Sequence, residues 1–274
     1  MIAYRATLDV PRELVQFVAK LLAAERRRRG TPRGSRALTC FWQAVLGLRW
    51  FRDRTTPDAL ARDHGISRAT AYRYRDEVAG VLAGQAPDLR EALERAEGEG
   101  LSHVILDGKL IPSDRCKEPA VSVKGQVIDL WYSGKAHTHG GNIQAVMAPT
   151  GFPLWVSDAE PGSAHDITAA RLHALPALYH AAADLPTLAD PGYEGAGIGI
   201  HIPVKQPPDG RELDINTRTR NAIQRSLRCL GERGFALLTG RWRTLRHITA
   251  SPSKIGDIAR AALVLTHFEH GYIT

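Results

Sequence analysis

Residues 103–111 of this 274-residue chain read HVILDGKLI, an apolar run with one carboxylate inside it. The flanking side chains are β-branched or aliphatic, which is typical of a short strand covered on both faces. Burying an unpaired carboxylate there costs roughly several kcal/mol unless a cation, a metal ion or hydrogen-bond donors compensate. Asp107 therefore has two interpretations: a turn residue, because Asp-Gly is a common hairpin dipeptide, or a metal ligand.

The composition is that of an ordinary globular protein, with 43% hydrophobic residues. No stretch approaches the about 20 apolar residues that a membrane helix needs, and no apolar signal segment opens the sequence, so we expect a cytoplasmic protein without a membrane partner. The cysteines, Cys40, Cys116 and Cys229, lie far apart and form no CxxC pair. Neither a zinc knuckle nor a disulfide framework is indicated.

The net charge of +7 is unevenly distributed along the chain. Residues 1–100 carry a net charge of +5, residues 101–204 carry −4, and residues 205–254 carry +7. This alternation indicates two surfaces attracted to a polyanion on either side of a region where carboxylates collect. Solvated basic faces would give the same pattern, but the distribution favours a nucleic-acid partner.

The first hundred residues have helical periodicity. Two segments, 11–29 and 39–52, place apolar residues on one helical face. Between them RRRRGTPRGSR, residues 26–36, is a basic loop rich in helix breakers. Such a loop suits contact with phosphate groups or simple exposure to solvent.

Residues 56–82 have the spacing of a helix-turn-helix. Thr56 can cap a first helix, Gly65 supplies the tight turn, and Ser67 begins a second helix. The second helix can point five polar side chains outward: Arg68, Thr70, Tyr72, Arg73 and Arg75. An ordinary helical hairpin is the alternative, but the positive charge favours DNA binding. The spacing resembles that of a helix-turn-helix, and this resemblance implies that the second helix lies in a major groove.

From residue 101 the sequence predicts strands. After residues 103–111, the predicted elements are strands at 125–134, 140–151 and 152–159, a helix at 162–175, short strands at 185–190 and 199–205, and a long helix at 216–238. The apolar stripe of that long helix consists of Ile223, Leu227, Leu230 and Leu237. This order of strands and helices is the order of an RNase H-like sheet.

Residues 101 to about 266 resemble the catalytic domain of DDE-type insertion-sequence transposases, in the DDE superfamily endonuclease group. The stretches that carry the resemblance are ILDGKLIPSDR, SGKAHTHGGNIQ, LWVSDAEPGSAHDITAAR, LADPGYEGAG and LGERGFALLTGRWRTLRHI. The resemblance implies an α+β fold, with an RNase H-like mixed sheet flanked by helices and preceded by an all-α helix-turn-helix domain. It divides the chain into a helical DNA-binding domain, 1–98, and a catalytic domain, 101–274.

The resemblance also assigns an acidic triad: Asp107 on the first strand, Asp190 after a later strand, and Glu232 on the long helix. Two Mg²⁺ or Mn²⁺ ions about 3.5 to 4 Å apart can activate an attacking oxygen and stabilise the leaving one, and such ions need oxygen ligands. A metal would make the carboxylate of Asp107 tolerable inside the sheet. Each acid also has an ordinary interpretation, since Glu232 can pair with Arg228 four residues earlier and Asp190 can be a turn residue.

Other polar residues have more than one interpretation. The candidate cations for a DNA strand are Lys135, Arg228 and Arg241. Asp166 has the spacing of a helix cap, and its AHD sequence also matches a motif of the family. The histidines that could suggest zinc are His137, His139 and His165. No cysteine pair or HExxH motif supports a zinc site, and histidines in a polar loop are more often solvent-facing or phosphate-binding.

Two positions depart from the family pattern: Arg225 stands where the signature has tyrosine, and Thr239 where it has a lysine that would contact DNA. The resemblance implies a DNA transposase that cleaves a phosphodiester with water and joins the liberated 3′-hydroxyl to target DNA. The implied partners are the double-stranded element ends and target, held by a homo-oligomer on nucleoid DNA in the cytoplasm. Two alternatives remain: a non-catalytic DNA-binding regulator descended from a transposase, and a nuclease without strand transfer.

Overall fold

A computed structural model of the chain describes residues 7–122 and 125–273. Their contacts form two compact units. The first unit contains the described parts of 1–86, 238–246 and 257–274, and the second contains those of 87–237 and 247–256. The domain limits 1–98 and 101–274 follow a different division and stay predictions; their outermost residues lie outside the described part of the chain.

The structure confirms the predicted α+β class, with a mixed sheet, flanking helices and a helical N-terminal region. The α-helices are α1 (Arg12–Arg28), α2 (Cys40–Asp53), α3 (Pro57–His64), α4 (Arg68–Ala83), α5 (Leu89–Gly98), α6 (Asp166–His173), α7 (Leu175–Ala181), α8 (Ile215–Arg228), α9 (Gly231–Arg241) and α10 (Ile255–Glu269). The β-strands are β1 (Val104–Pro112), β2 (Pro119–Val121), β3 (Val127–Asp129), β4 (Tyr132–Ser133), β5 (Thr138–Met147), β6 (Pro153–Val156), β7 (Glu160–Pro161), β8 (Thr187–Leu188) and β9 (Ile200–His201). None of the helices described is both long and apolar enough to cross a bilayer.

The first unit is a group of packed helices. Its core contains Leu14 and Val18 of α1, Leu46 of α2 and Val78 of α4, all fully buried. α2 and α4 approach closely at Gly47, where an added Cβ would lie 2.5 Å from Cγ1 of Val78. The close packing of these two helices therefore depends on a glycine at this position.

The predicted caps of the α3–α4 hairpin are confirmed. The hydroxyl of Thr56 accepts a hydrogen bond from the N–H of Ala59, and the hydroxyl of Ser67 accepts one from the N–H of Thr70. Gly65 has the left-handed conformation, with φ of 62°. These features produce the predicted turn between two helices. The assignment of this hairpin as a DNA-binding helix-turn-helix stays a prediction.

Two arginines predicted to contact DNA have partners within the first unit. The expectation that Arg75 points outward is wrong, because it is only 4% exposed and its guanidinium lies 5.1 Å from the ring centroid of Trp50. Arg241 pairs with Glu269 at 2.6 Å and with Asp9 at 2.9 Å, so its charge is already neutralised. Both cations therefore have structural partners, and their DNA contacts stay untested predictions.

The second unit is built around the mixed sheet. The strand order is β4-β5-β1-β8-β9, with β6 and β7 also pairing with β5. β5 runs antiparallel to β1, whereas β8 and β9 continue the sheet in parallel with β1. β2 and β3 form a separate two-stranded hairpin, so the predicted strand at 125–134 is instead divided between β3 and β4.

The prediction of one continuous helix at 216–238 is wrong, because the chain forms two helices there, α8 and α9. The predicted inner stripe is largely exposed, with Ile223 57% and Leu227 40% accessible. Asn221 and Gln224 are buried instead. Asn221 exchanges two hydrogen bonds of 2.9 Å with the backbone of Val204, and Gln224 donates to a carbonyl of β9. Polar side chains that satisfy the sheet edge therefore decide which face of α8 turns inward.

We predict opposite effects for two glycine-to-alanine substitutions in the helices of the first unit. Gly47→Ala should lower the free energy of unfolding by about 1 to 3 kcal/mol, because the new methyl group overlaps Val78. Gly80→Ala should raise it by about 0.5 to 1 kcal/mol, because Gly80 is an exposed residue of α4 with open space around it. Urea unfolding of the full chain measures both; equal midpoints for the two variants would contradict the close approach.

Candidate active site

The register of two neighbouring parallel strands brings two of the predicted acids level with each other. Val104 of β1 is opposite Thr187 of β8, and Ile105 is opposite Leu188. Extending this register by two residues places Asp107 opposite Asp190, just beyond the end of β8. Parallel pairing thus brings together two carboxylates that are far apart in the sequence.

Asp190 leaves the strand and turns the chain. Its carboxylate accepts a hydrogen bond from the N–H of Gly192 at 2.8 Å and begins the 3₁₀ turn Pro191–Tyr193. Asp107, by contrast, stays within β1, whose antiparallel register with β5 continues through Gly108 opposite Gln144. The interpretation of Asp107 and Gly108 as a hairpin turn is therefore wrong.

α9 covers the face of the sheet that carries Asp107. Successive side chains of a strand alternate between faces, so Ile105, Asp107 and Lys109 share one face of β1. An added Cβ on Gly231 would lie 2.8 Å from Cγ2 of Ile105, and the ring of Phe235 lies 5.7 Å from Nζ of Lys109. The first turns of α9 therefore pack beside Asp107.

Glu232 follows Gly231 in the first turn of α9 and is exposed to solvent. Its helix reaches the face of Asp107, as the predicted triad requires. However, no three histidine, cysteine, aspartate or glutamate side chains within residues 7–122 and 125–273 are grouped closely enough to hold a metal ion. The structure places Asp107 level with Asp190, but it does not assemble Asp107, Asp190 and Glu232 into a ready metal cluster.

The carboxylate of Asp107 is in an unfavourable electrostatic environment. The pKa of Asp107 is raised to about 6, mainly by burial and also by the neighbouring charges of Asp190 and Asp166. The guanidinium of Arg228 opposes this effect. Carboxylate oxygens are the ligands that Mg²⁺ and Mn²⁺ prefer, and a divalent cation would relieve the desolvation and the repulsion together. The donor set of this site therefore fits such an ion.

The opposite face of β1 carries a buried network of polar side chains that the sequence did not predict. The hydroxyl of Tyr193 donates to Oε1 of Gln144 at 2.7 Å, and Nε2 of Gln144 donates to Oδ1 of Asn142 at 3.0 Å. Nδ2 of Asn142 in turn donates to Oδ1 of Asp166 at 2.8 Å. The detectable signal was a pair of amides two residues apart in an otherwise apolar strand, which places both on one face.

This network joins the turn after Asp190 to β5 and α6. Burial, together with the nearby carboxylates, raises the pKa of Tyr193, so its hydroxyl stays protonated and can donate to Gln144. An added Cβ on Gly108 would lie 2.7 Å from Oδ1 of Asp166 and 2.7 Å from Nε2 of Gln144. Glycine next to Asp107 therefore leaves room for the network.

A cleft of about 910 Å³ lies on this second face of β1, lined by Gly108, Asp166, His165, Tyr132 and Lys135 among others. Nζ of Lys135 lies 3.4 Å from Oδ2 of Asp166, and the lysine side chain is largely exposed. Lys135 is thus accessible to an incoming polyanion.

The zinc alternative gains no support. Nε2 of His139 pairs with Asp129 at 3.1 Å. His165 is the N-cap residue of α6, and His137 has a left-handed backbone conformation with φ of 52°. These histidines belong to no metal-binding group among the residues described.

The remaining predicted DNA-binding residues of the hairpin lie on α4. Arg68 and Arg73 are exposed, whereas Thr70 and Tyr72 are half-buried. Arg68 pairs with Asp58 at 3.1 Å, and its guanidinium lies 5.6 Å from the ring centroid of Tyr72. Their contacts with DNA stay predictions.

Neighbouring carboxylates supply the oxygen ligands that divalent cations need in metal-dependent phosphoryl transfer. Residues 106–267 match the family described as DDE superfamily endonuclease, a segment that covers more than half of the chain and contains Asp107, Asp190 and Glu232. The chain belongs to the DDE superfamily endonucleases. No curated protein and no solved structure matches it.

We predict that Asp107→Asn stabilises the metal-free protein above pH 6. The folded-state pKa of Asp107 is about 6, above the ordinary aspartate value of about 4, so the folded state binds this proton more tightly than the unfolded state. The free energy of unfolding should therefore fall as the pH rises through this interval. At pH 8 the asparagine variant should be more stable than the wild type by about 1 to 2 kcal/mol.

Urea unfolding at pH 4 and pH 8 with a chelator measures this difference. Asp184→Asn is the matched control, because Asp184 is an exposed acid of the same unit. Adding Mg²⁺ should stabilise the wild type at pH 8 and leave Asp107→Asn unchanged. Identical pH profiles for the wild type and Asp107→Asn would contradict the electrostatic account of this site.

Proposed function

We propose that the chain is a DNA transposase of an insertion sequence, which binds the element ends and catalyses metal-dependent phosphodiester cleavage and strand transfer. The observation that carries this proposal is the register of β1 with β8, which brings Asp107 level with Asp190 just beyond the end of β8, within a chain of the DDE endonuclease family. Phosphoryl transfer of this kind requires little covalent chemistry from the protein and depends on positioning and charge.

Asp107 and Asp190 would hold the Mg²⁺ or Mn²⁺ ions, and Glu232 would complete the ligand set from the first turn of α9. Two such ions supply activation of the attacking oxygen and stabilisation of the leaving oxygen. Glu232 would have to approach Asp107 and Asp190, since these acids form no ready cluster in the described parts of the chain.

The residues of the chain itself have separate tasks in this proposal. Arg228, whose charge already lowers the pKa of Asp107, would bind a phosphate next to the reacting group. Lys135, exposed at the rim of the cleft, would contact the DNA strand. The network from Tyr193 to Asp166 would keep the turn after Asp190 in position during the reaction.

The first unit would bind double-stranded DNA through the outer face of α4. Arg68, Thr70, Tyr72 and Arg73 would face the major groove, whereas Arg75 is excluded by its burial. We further propose a homo-oligomer on paired element ends, as the family resemblance implies, working on nucleoid DNA in the cytoplasm.

A supercoiled plasmid that carries the DNA flanking the coding sequence tests the catalytic proposal. With Mg²⁺ the wild type should cut at the element ends and join them to target DNA, and Asp107→Asn should lower both rates by at least about 1,000-fold, because it removes an ionised metal ligand. Asp190→Asn and Glu232→Gln should have comparable effects, and Asp184→Asn should retain the activity. DNA binding by Asp107→Asn should persist.

Each other outcome supports a named alternative. Cutting without joining would leave a nuclease without strand transfer. Sequence-specific binding with no cutting in Mg²⁺ or Mn²⁺ would leave a non-catalytic regulator, which is the alternative that the exposed, unclustered Glu232 favours. An active Glu232→Gln variant would remove that residue from the ligand set.

A further inference from the structure

A second cationic site lies in the first unit, between the end of α1 and the start of α2. A cavity of about 580 Å³ there is lined by Arg26, Arg27, Arg33 and Arg36, and no acidic side chain is among its lining residues in the part of the chain described. We call this cavity the arginine pocket. Most residues of the basic loop at 26–36 line this pocket, and no residue of the α3–α4 hairpin is among its lining residues.

The charges around the arginine pocket are not all available to a ligand. Arg28, which does not line the pocket, pairs with Glu25 at 2.7 Å, and Arg36 pairs with Glu77 at 2.8 Å. Arg27 and Arg33 have no ion pair or side-chain hydrogen bond with any residue that the structure describes. Two exposed guanidinium groups at one cavity are therefore free to bind an anion.

Arg26 forms the inner wall of the arginine pocket. One of its terminal nitrogens donates to the carbonyl of Leu38 at 3.0 Å and to Oε1 of Gln43 at 2.6 Å. Its Nε is buried and has no hydrogen-bond partner within the described residues. Because this Nε has no exposed surface, Arg26 contributes its positive charge to the pocket but no free donor.

The start of α2 adds a partial positive charge to the same cavity. Thr39 and Cys40, the N-cap and first residue of this 14-residue helix, both line the pocket. Free backbone N–H groups and the helix dipole favour an anion at this end. The arginines and the helix end therefore act in the same direction.

We infer that the arginine pocket binds a phosphodiester of the DNA backbone, as a contact separate from the groove contacts of α4. This inference rests on the proposed function, because it presupposes that the first unit binds DNA. Planar guanidinium groups match the oxygen pairs of a phosphate. The pocket is also fixed to α4, since Arg36 pairs with Glu77 and its guanidinium lies 5.7 Å from the ring centroid of Tyr74.

A phosphate contact of this kind positions the protein on the duplex without reading sequence. The double variant Arg27→Gln/Arg33→Gln should therefore weaken binding to the element-end duplex and to a scrambled duplex by the same factor, about tenfold at 0.15 M salt. The slope of log K against log salt should become less steep by about one, as expected for one lost phosphate contact. Fluorescence anisotropy across a salt series measures both quantities.

Arg28→Gln/Arg29→Gln is the matched control, because it removes the same charge from the same loop at positions that do not line the pocket. Its salt slope should stay close to that of the wild type. Equal losses of DNA affinity in the two double variants, or no loss in Arg27→Gln/Arg33→Gln, would refute phosphate binding at the arginine pocket while leaving the proposed function intact. A wild type that binds neither duplex would instead refute the DNA-binding part of the proposed function, and the pocket with it.

Discussion

The catalytic half of the molecule depends on the parallel pairing of β1 with β8. This pairing sets Asp107, buried within the central strand β1, level with Asp190 just beyond the end of β8, and burial raises the pKa of Asp107. Two like charges in such a place oppose folding unless a cation neutralises them. Under the proposed function, a bound divalent cation would relieve this cost in stability.

The second face of the same strands supports this arrangement with neutral hydrogen bonds. Gln144 and Asn142 link Tyr193 to Asp166 through a chain of hydrogen bonds. The contacts at its two ends, to Tyr193 and to Asp166, join elements that are distant in the sequence. A fully satisfied buried network restricts the geometry of the elements that it connects. The turn that follows Asp190 is therefore held in place by this chain of hydrogen bonds.

In the first unit, whether an arginine is available to a ligand depends on its carboxylate and aromatic partners rather than on its position in a sequence motif. Arg75 and Arg241 are occupied by aromatic rings or carboxylates, whereas Arg27, Arg33 and Arg73 have no carboxylate partner among the residues described. Helical periodicity can show which side of a helix is polar. It cannot show whether a carboxylate or an aromatic ring elsewhere in the fold already contacts a given guanidinium, and this is why the predicted outward orientation of Arg75 was wrong.

The sequence by itself determined the α+β class, the strand around Asp107, the caps of the α3–α4 hairpin and the family. Apolar periodicity and capping residues act between neighbours in the sequence, and the order of motifs can be read directly along the chain. Only the tertiary structure decided that Asp107 lies level with Asp190, that α8 and α9 are separate helices, and that Glu232 is exposed at a helix start. Strand register and helix breaks depend on partners far away in the sequence, such as the backbone of β9 that the side chains of α8 satisfy. Pairings of this kind have no local signature.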